Sequence, residues 1–257
     1  MKIFVVGDIV GNTGVNKVKQ VLPQYIQKEN IDFVIANGEN SADGMGITSK
    51  IFKDLMFSGV NVVTMGNHTW GKKDIFNIIE DKNLLRPANY PKDILGNGYG
   101  IYECNGKAIC VINLIGRVDM NVLSENPFNV VRDIINEVEH MVDIIIVDFH
   151  AEATAEKIAM GYYLDGKVAC VYGTHTHVQT ADEQILEKGT AYITDVGMTG
   201  PKKSVIGMEV DVSIKRFVTT LPERYKLSDD KTAFLNGCIL EINDETCRVE
   251  KIKRVNL

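Results

Sequence analysis

The sequence predicts an α/β protein built on a largely parallel sheet. Two observations carry the prediction. Short, mostly apolar runs recur at residues 2–6, 32–36 and 60–64, each ending in a polar tip. The first two tips are each followed by a stretch whose apolar residues fall at helical spacing. Strands buried on both faces read as continuous apolar runs, and strand–helix alternation is the grammar of parallel sheets.

In order, residues 2–6 end in Gly7-Asp8, and Asn12-Thr13-Gly14 opens a helix with Val15, Val18, Val21, Leu22, Tyr25 and Ile26 on one face. The run Asp32–Ala36 ends in Asn37-Gly38-Glu39-Asn40. A second amphipathic helix (Ile51, Leu55, Met56) leads to Val60–Thr64 and the tip Gly66-Asn67-His68. Residues 86–91 and 96–100 read as loop. Ile101–Cys104 and Ala108–Ile115 flank Asn105-Gly106, a strong hairpin signal. Residues 128–138 read as helix, and Asp143–Val147 as a buried strand ending in Asp148-Phe149-His150. An alanine-bearing helix, 151–161, leads to the strand Val168–Tyr172 and its tip, Gly173-Thr174-His175-Thr176-His177. Ala191–Thr194 is a further apolar run, and Asp195–Pro201, with two glycines, reads as a loop. Gly237–Ile242 and Cys247–Val255 around Asn243-Asp244 form a closing hairpin. Without repeats, low-complexity tracts or linkers, residues 1–257 are expected to make a single domain.

Composition narrows the class. Hydrophobic content of 45% and charged content of 24% are ordinary for a globular protein. A net charge of −6 argues against a large nucleic-acid face, so no stable nucleic-acid complex is expected. The five cysteines lack C-x-x-C spacing; Cys104, Cys110 and Cys170 lie in or beside apolar strands, which reads as reduced core thiols. The first apolar run meets Asp8 too soon for a signal peptide, and no run reaches the ~18 residues of a membrane span. The expectation is a cytoplasmic protein with no membrane partner.

The chemistry sits at the strand tips. Four of the five histidines, His68, His150, His175 and His177, lie there with Asp8, Glu39, Asn40 and Asn67. In open α/β sheets the ligand crevice lies outside the carboxyl ends of the strands. Asp8 or Asn67 alone is explained as a cap or turn residue, and His150 alone as a core histidine. Helix capping does not explain their joint placement. Imidazoles at i and i+2, as in His175 and His177, either converge on one ion or serve one ion each. The set holds too many ligands for one ion and suits two. Mixed oxygen and nitrogen donors without thiolate favour Mn, Fe or Zn over Mg or Cu(I). Two ions ~3.5–4 Å apart suit in-line hydrolysis of a phosphate ester.

The order Gly7-Asp8, Gly38-Glu39-Asn40, Gly66-Asn67-His68, His150 and Gly173-x-His175-x-His177 resembles the calcineurin-like metallophosphoesterases, over nearly the whole chain. It is most similar to their bacterial branch of 2′,3′-cyclic-nucleotide 2′-phosphodiesterases. The resemblance implies a four-layer αββα sandwich, two mixed β-sheets packed between helices, with a dimetal site where the strand ends meet. It implies that Asp8, Glu39, Asn40 and His177 hold one ion. Glu39 then bridges to a second ion held also by Asn67, His150 and His175, and His68 protonates the leaving oxygen. It also implies a small-molecule cyclic nucleotide or other phosphate diester as substrate (2′,3′-cyclic first, 3′,5′-cyclic second) and a homo-oligomer. Two departures from the wider superfamily bear on the metal. Val10 stands where Asp-x-His is usual, and Glu39 where the bridge is usually aspartate. The similar bacterial branch shares both, and iron or manganese is expected ahead of zinc.

Other residues have plainer readings. Arg117 reads as a phosphate contact or, more readily, a surface ion pair, and Asp148 and Glu152 as acceptors that orient imidazoles, or as solvent or capping residues. Trp70 reads as packing ahead of base stacking, His140 as surface, and Lys202-Lys203 as a solvated turn. Gly7–Gly14 is glycine-rich, but Ile9 occupies the middle glycine's place in a dinucleotide fingerprint and no G-K-[ST] is present. The alternative to an enzyme is a regulatory protein that binds nucleotide or RNA through the same metal site.

Overall fold

A computed structural model describes all 257 residues. Two sheets stack face to face. The larger runs Asp8–Ile9, Met198–Pro201, Ala233–Ile242, Lys2–Val6, Phe33–Asn37, Val62–Thr64, Leu84–Leu85, and Val249–Asn256 also pairs with Ala233–Ile242. The smaller runs Gln184–Ile185, Ala191–Ile193, Cys170–Thr174, Ile144–His150, Lys107–Ile115, Tyr99–Cys104. The central pairings of both are parallel, as the strand–helix alternation predicts. The two expected hairpins supply antiparallel pairs, so both sheets are mixed.

The four layers follow from the two-residue period of a strand. Ile3 and Val5 face one way, into a core shared with Val111, Ile146 and Tyr172 of the other sheet. Phe4 and Val6 face the other way, against Val15, Val18 and Leu22 of the helix Gly11–Glu29 and Leu55 of the helix Ser49–Phe57. On the far side Ile112, Val147 and Phe149 pack on Val131 and Ile135 of the helix Pro127–Val138 and Met160 of the helix Thr154–Tyr163. Each such side chain, fully buried, stabilises the fold by about 1.5–3 kcal/mol relative to exposure. This is the expected αββα sandwich. No helix is long and apolar enough to cross a membrane.

Several boundaries differ from the sequence reading. The strand expected to stop at Val147 runs through His150, because Asn113, Leu114 and Ile115 continue the ladder beside Asp148, Phe149 and His150. The strand expected at 168–172 lies at 170–174 for the same reason, paired with Ile146–His150. Asp195–Pro201 is not all loop. Met198 and Thr199 pair in parallel with Asp8 and Ile9, and Thr199–Pro201 in antiparallel with Ala233–Leu235. A helix, Val210–Thr219, goes unforeseen; it buries only Ser213 and leaves Ile214, Phe217 and Val218 exposed. Val210, Ile214, Phe217 and Val218 do recur at helical spacing, but the sequence reading does not take up that period and the stripe faces outward rather than into the core.

Candidate metal centre

The polar tips of both sheets meet at one edge, and every predicted site residue arrives there. Glu39 is at the centre and buried. Its Oε1 lies 3.1 Å from His150 Nε2, 3.5 Å from His68 Nδ1 and 3.2 Å from Asn40 Nδ2, which donates to it. Its Oε2 accepts the His68 N–H at 2.9 Å. Asn67 Oδ1 and His175 Nδ1 are each 3.0 Å from His150 Nε2. Ligand atoms of Glu39, His150 and His175 all lie within 4.8 Å of one another. On the other side of Glu39, Asp8 Oδ1 is 3.9 Å from His177 Nε2 and 3.9 Å from His150 Nδ1. Asn40 Nδ2 is 3.1 Å from His177 Nε2.

The outer ring nitrogens decide what the inner ones offer. A carbonyl can only accept, so His177 carries its proton on Nδ1, 2.9 Å from Ile206 O, and its Nε2 lone pair faces inward. Thr174 gives its hydroxyl proton to Asp148 Oδ1 at 2.8 Å, so it accepts from His150 Nδ1 at 2.9 Å, and Nε2 is the inward atom. Glu152 Oε2 accepts the His175 Nε2–H at 3.0 Å, which turns Nδ1 inward. Two inward nitrogens 3.0 Å apart, His150 Nε2 and His175 Nδ1, repel unless a proton or a metal cation lies against them.

Without a cation, charge and burial strain the cluster. Burial raises the Asp8 carboxyl above its usual range, with His177 and His150 pulling the other way. Burial opposes the Glu39 charge too, but His150 and His68 outweigh it and bring the carboxyl down to about 2. Burial works against a His150 cation, yet Glu39, then Asp8 and Asp148, push that imidazole up to about 9. Burial and then the His150 charge hold His175 down at about 3. Asp8 Oδ1 is buried with no hydrogen-bond partner in the chain. An orphaned buried carboxylate oxygen is costly unless a cation satisfies it. A Cβ on Gly66 would collide with Glu39 Oε2 and the His150 ring, so the glycine leaves the cradle open. The donor set therefore fits bound metal.

His68 stands apart. Its Nδ1 lies 2.7 Å from Asn40 Oδ1, which can only accept, so Nδ1 holds the proton there. Its side chain is 31% exposed, more than the buried His150 or the His177 ring. Glu152 and Asp148 act on imidazoles, the second through Thr174. Arg117 is exposed and its side chain forms no ion pair, unlike the surface pair the sequence suggested. Trp70 stacks on Phe76 and Tyr90, as packing predicts. Sequence reasoning misses Lys157 and takes Asp195 only as the start of a loop, yet the two form a buried pair beneath the His175–His177 turn. A lysine in an alanine-bearing helix and an aspartate opening a glycine-bearing loop look like surface residues.

Carboxylates, amides and imidazoles on one rim of two sheets between helices define the class, and the fold is that of the calcineurin-like metallophosphoesterases. The chain belongs to the YmdB-like protein family, whose profile matches residues 4–255. It is 48% identical over 256 residues to a 2′,3′-cyclic-nucleotide 2′-phosphodiesterase of Bacillus subtilis, covering 99% of this chain and 96% of that one. A solved structure described as a novel phosphatase of Mycoplasma pneumoniae superposes with a TM-score of 0.94 at 40% identity, covering 100% of this chain and 93% of that one. The fold extends to a putative 5′-nucleotidase of Staphylococcus aureus, with a TM-score of 0.63 at 16% identity over 99% of this chain and 53% of that one.

Proposed function

We propose that this chain is a metal-dependent phosphodiesterase that opens 2′,3′-cyclic nucleotides to nucleoside 3′-phosphates. The observation that supports it most is the inward set of lone pairs. His150, His175 and His177 each have one ring nitrogen tied to an acceptor outside the cluster and the other turned toward Glu39 or Asp8. In this reading Asp8, Glu39, Asn40 and His177 hold one ion, and Glu39, Asn67, His150 and His175 a second. Oxygen and imidazole donors without thiolate favour iron or manganese over zinc. Two bound ions supply the positive charge that neutralises a phosphodiester and acidifies the attacking water.

The chain's own residues do the rest. Asn40 Oδ1 fixes the His68 ring through Nδ1, and Glu39 Oε2 fixes its backbone. Nε2 then has no partner in the chain, and in the imidazolium form, with a proton on each ring nitrogen, it would hand its own proton to the departing 2′-oxygen while Nδ1–H stays on Asn40. Such general-acid help contributes about 10²–10⁴-fold. The name of the Bacillus subtilis relative supports the cyclic-nucleotide substrate.

The test is hydrolysis of 2′,3′-cyclic AMP by metal-free protein with Mn²⁺ or Fe²⁺ added back. Release of adenosine 3′-phosphate only with metal is the expected result. His68→Ala should lose about 10²–10⁴-fold in turnover, keep its metal, and recover partly on p-nitrophenyl phosphodiesters, whose leaving group needs no proton. Metal loss from His68→Ala would make His68 a ligand, and absence of any bound metal would overturn the reading.

A further inference from the structure

One fully buried ion pair is not used by the proposed reaction. Lys157 Nζ meets Asp195 Oδ2 at 2.7 Å, with side-chain exposures of 1% and 0%. Desolvating two charges is expensive, so such a pair is weak evidence for stability by itself. The partners of Asp195 show what else it does. Oδ2 also accepts the Thr176 N–H at 3.1 Å and the Thr176 hydroxyl at 2.7 Å. Oδ1 accepts the Gly197 N–H at 2.8 Å, and Gly197 O accepts the Asp8 N–H at 3.0 Å. One carboxylate thus joins the residue between the two metal-facing histidines to the backbone of Asp8.

The segment that carries Asp195 is threaded between two other strand tips. Val196 N–H donates to Gly173 O at 2.9 Å. A Cβ at Gly7 would overlap Gly197 O, and one at Gly173 would overlap Thr194 O and reach Lys157 Cδ at 2.9 Å. The turn so held is strained. His175 has φ 102° and His177 φ 65°, in the region non-glycine residues avoid. Such residues persist only where their surroundings over-determine them. Pinning Thr176 at N and Oγ1 sends His175 toward His150 and Glu152, and His177 toward Asn40 and Ile206.

We infer that Lys157 and Asp195 are positioning residues for the metal centre. They hold Thr176 so that His175 and His177 serve different halves of it, and through Gly197 they set both against Asp8. Lys157 orients the carboxylate through the 2.7 Å contact of its Nζ with Oδ2. The inference rests on the dimetal reading above.

The test is Mn²⁺ binding to metal-free protein, by calorimetry and by the EPR spectrum of the bound ions, with thermal unfolding followed in parallel. Thr176→Val keeps the shape and removes the hydroxyl. It should bind Mn²⁺ about 10-fold or more weakly, within the range of outer-shell substitutions, and alter the spectrum of the coupled ions; Thr176→Ser should restore both. Lys157→Met should weaken Mn²⁺ binding likewise where it folds; if it does not fold, Thr176→Val decides alone. A Thr176→Val protein with lowered melting temperature but wild-type affinity and spectrum would reduce the network to a structural role and overturn the inference. Wild-type protein that binds no Mn²⁺ would overturn the dimetal reading itself.

Discussion

Replacing Gly66 by alanine tests the cradle directly. The added Cβ falls on Glu39 Oε2 and on Cδ2 and Nε2 of His150, closer than any real Cβ sits to such atoms. Neither neighbour can step back freely. Glu39 Oε2 is held by the His68 N–H at 2.9 Å, and the His150 ring by Thr174 at 2.9 Å. Both side chains are buried. Inserting one methyl into a packed site costs about 1–3 kcal/mol. Losing a hydrogen bond to a charged group adds about 1.5–3 kcal/mol. Together the expected loss is roughly 2.5–6 kcal/mol, or roughly 5–24 °C in melting temperature for a chain of this size. The same methyl occupies the space between Glu39 and His150, so metal binding should fall as well. Calorimetric unfolding with and without Mn²⁺ separates the two effects, because bound metal adds stability only where it binds the fold. A Gly66→Ala protein that melts within about 1 °C of wild type and gains the same stability from Mn²⁺ would refute the reasoning.

Two further predictions concern pH and the outer shell, beside the His68→Ala outcome given above. Burial raises the Asp148 carboxyl to about 6, despite its Thr64 and Thr174 hydrogen bonds, and His150 stands at about 9. Both pKa values lie above those of the unfolded chain, so the proton stabilises the fold and its contribution fades as pH rises through them. Below about pH 6.5 the His175 imidazole, held down at about 3, works the other way and offsets Asp148, so metal-free protein should lose stability from about pH 6.5 to 9 as His150 gives up its proton, while metal-loaded protein, whose cation replaces that proton, should not. Melting curves across that range check it, and a metal-free protein that gains stability with pH would contradict it. Glu152→Ala removes the acceptor of His175 Nε2 from a half-exposed site, where water partly substitutes. It should weaken metal binding about 10-fold and change stability by under ~0.5 kcal/mol; unchanged affinity in a metal titration would show that Glu152 does not orient the ring.

The sequence carried the strands and the rim because both leave local marks, whereas the two-sheet sandwich came only with the resemblance to the metallophosphoesterases. Apolar runs such as Ile3–Val6 and Val62–Val63 announce strands, and Asp8, Glu39, Asn67 and His175 follow those runs directly. The helix Val210–Thr219 left a period of its own, Val210, Ile214, Phe217 and Val218, but that stripe faces outward and the sequence reading passes over it. Residues 195–201 looked like turn chemistry because glycine and proline signal turns. Here those glycines and their counterparts Gly7 and Gly173 serve close backbone approach instead.

By itself, then, the chain determined which side chains stand at the strand ends, because strand period and burial are written in neighbouring residues. Tertiary structure decided which nitrogen of each histidine faces the centre, because that depends on acceptors far away in sequence: Ile206 for His177, Glu152 and Thr174 for the others. It also decided that Lys157 and Asp195 meet, across 38 residues, beneath the turn that sets His175 and His177 apart. A hydrogen bond depends on distance and angle in space, and no local pattern of residues encodes either.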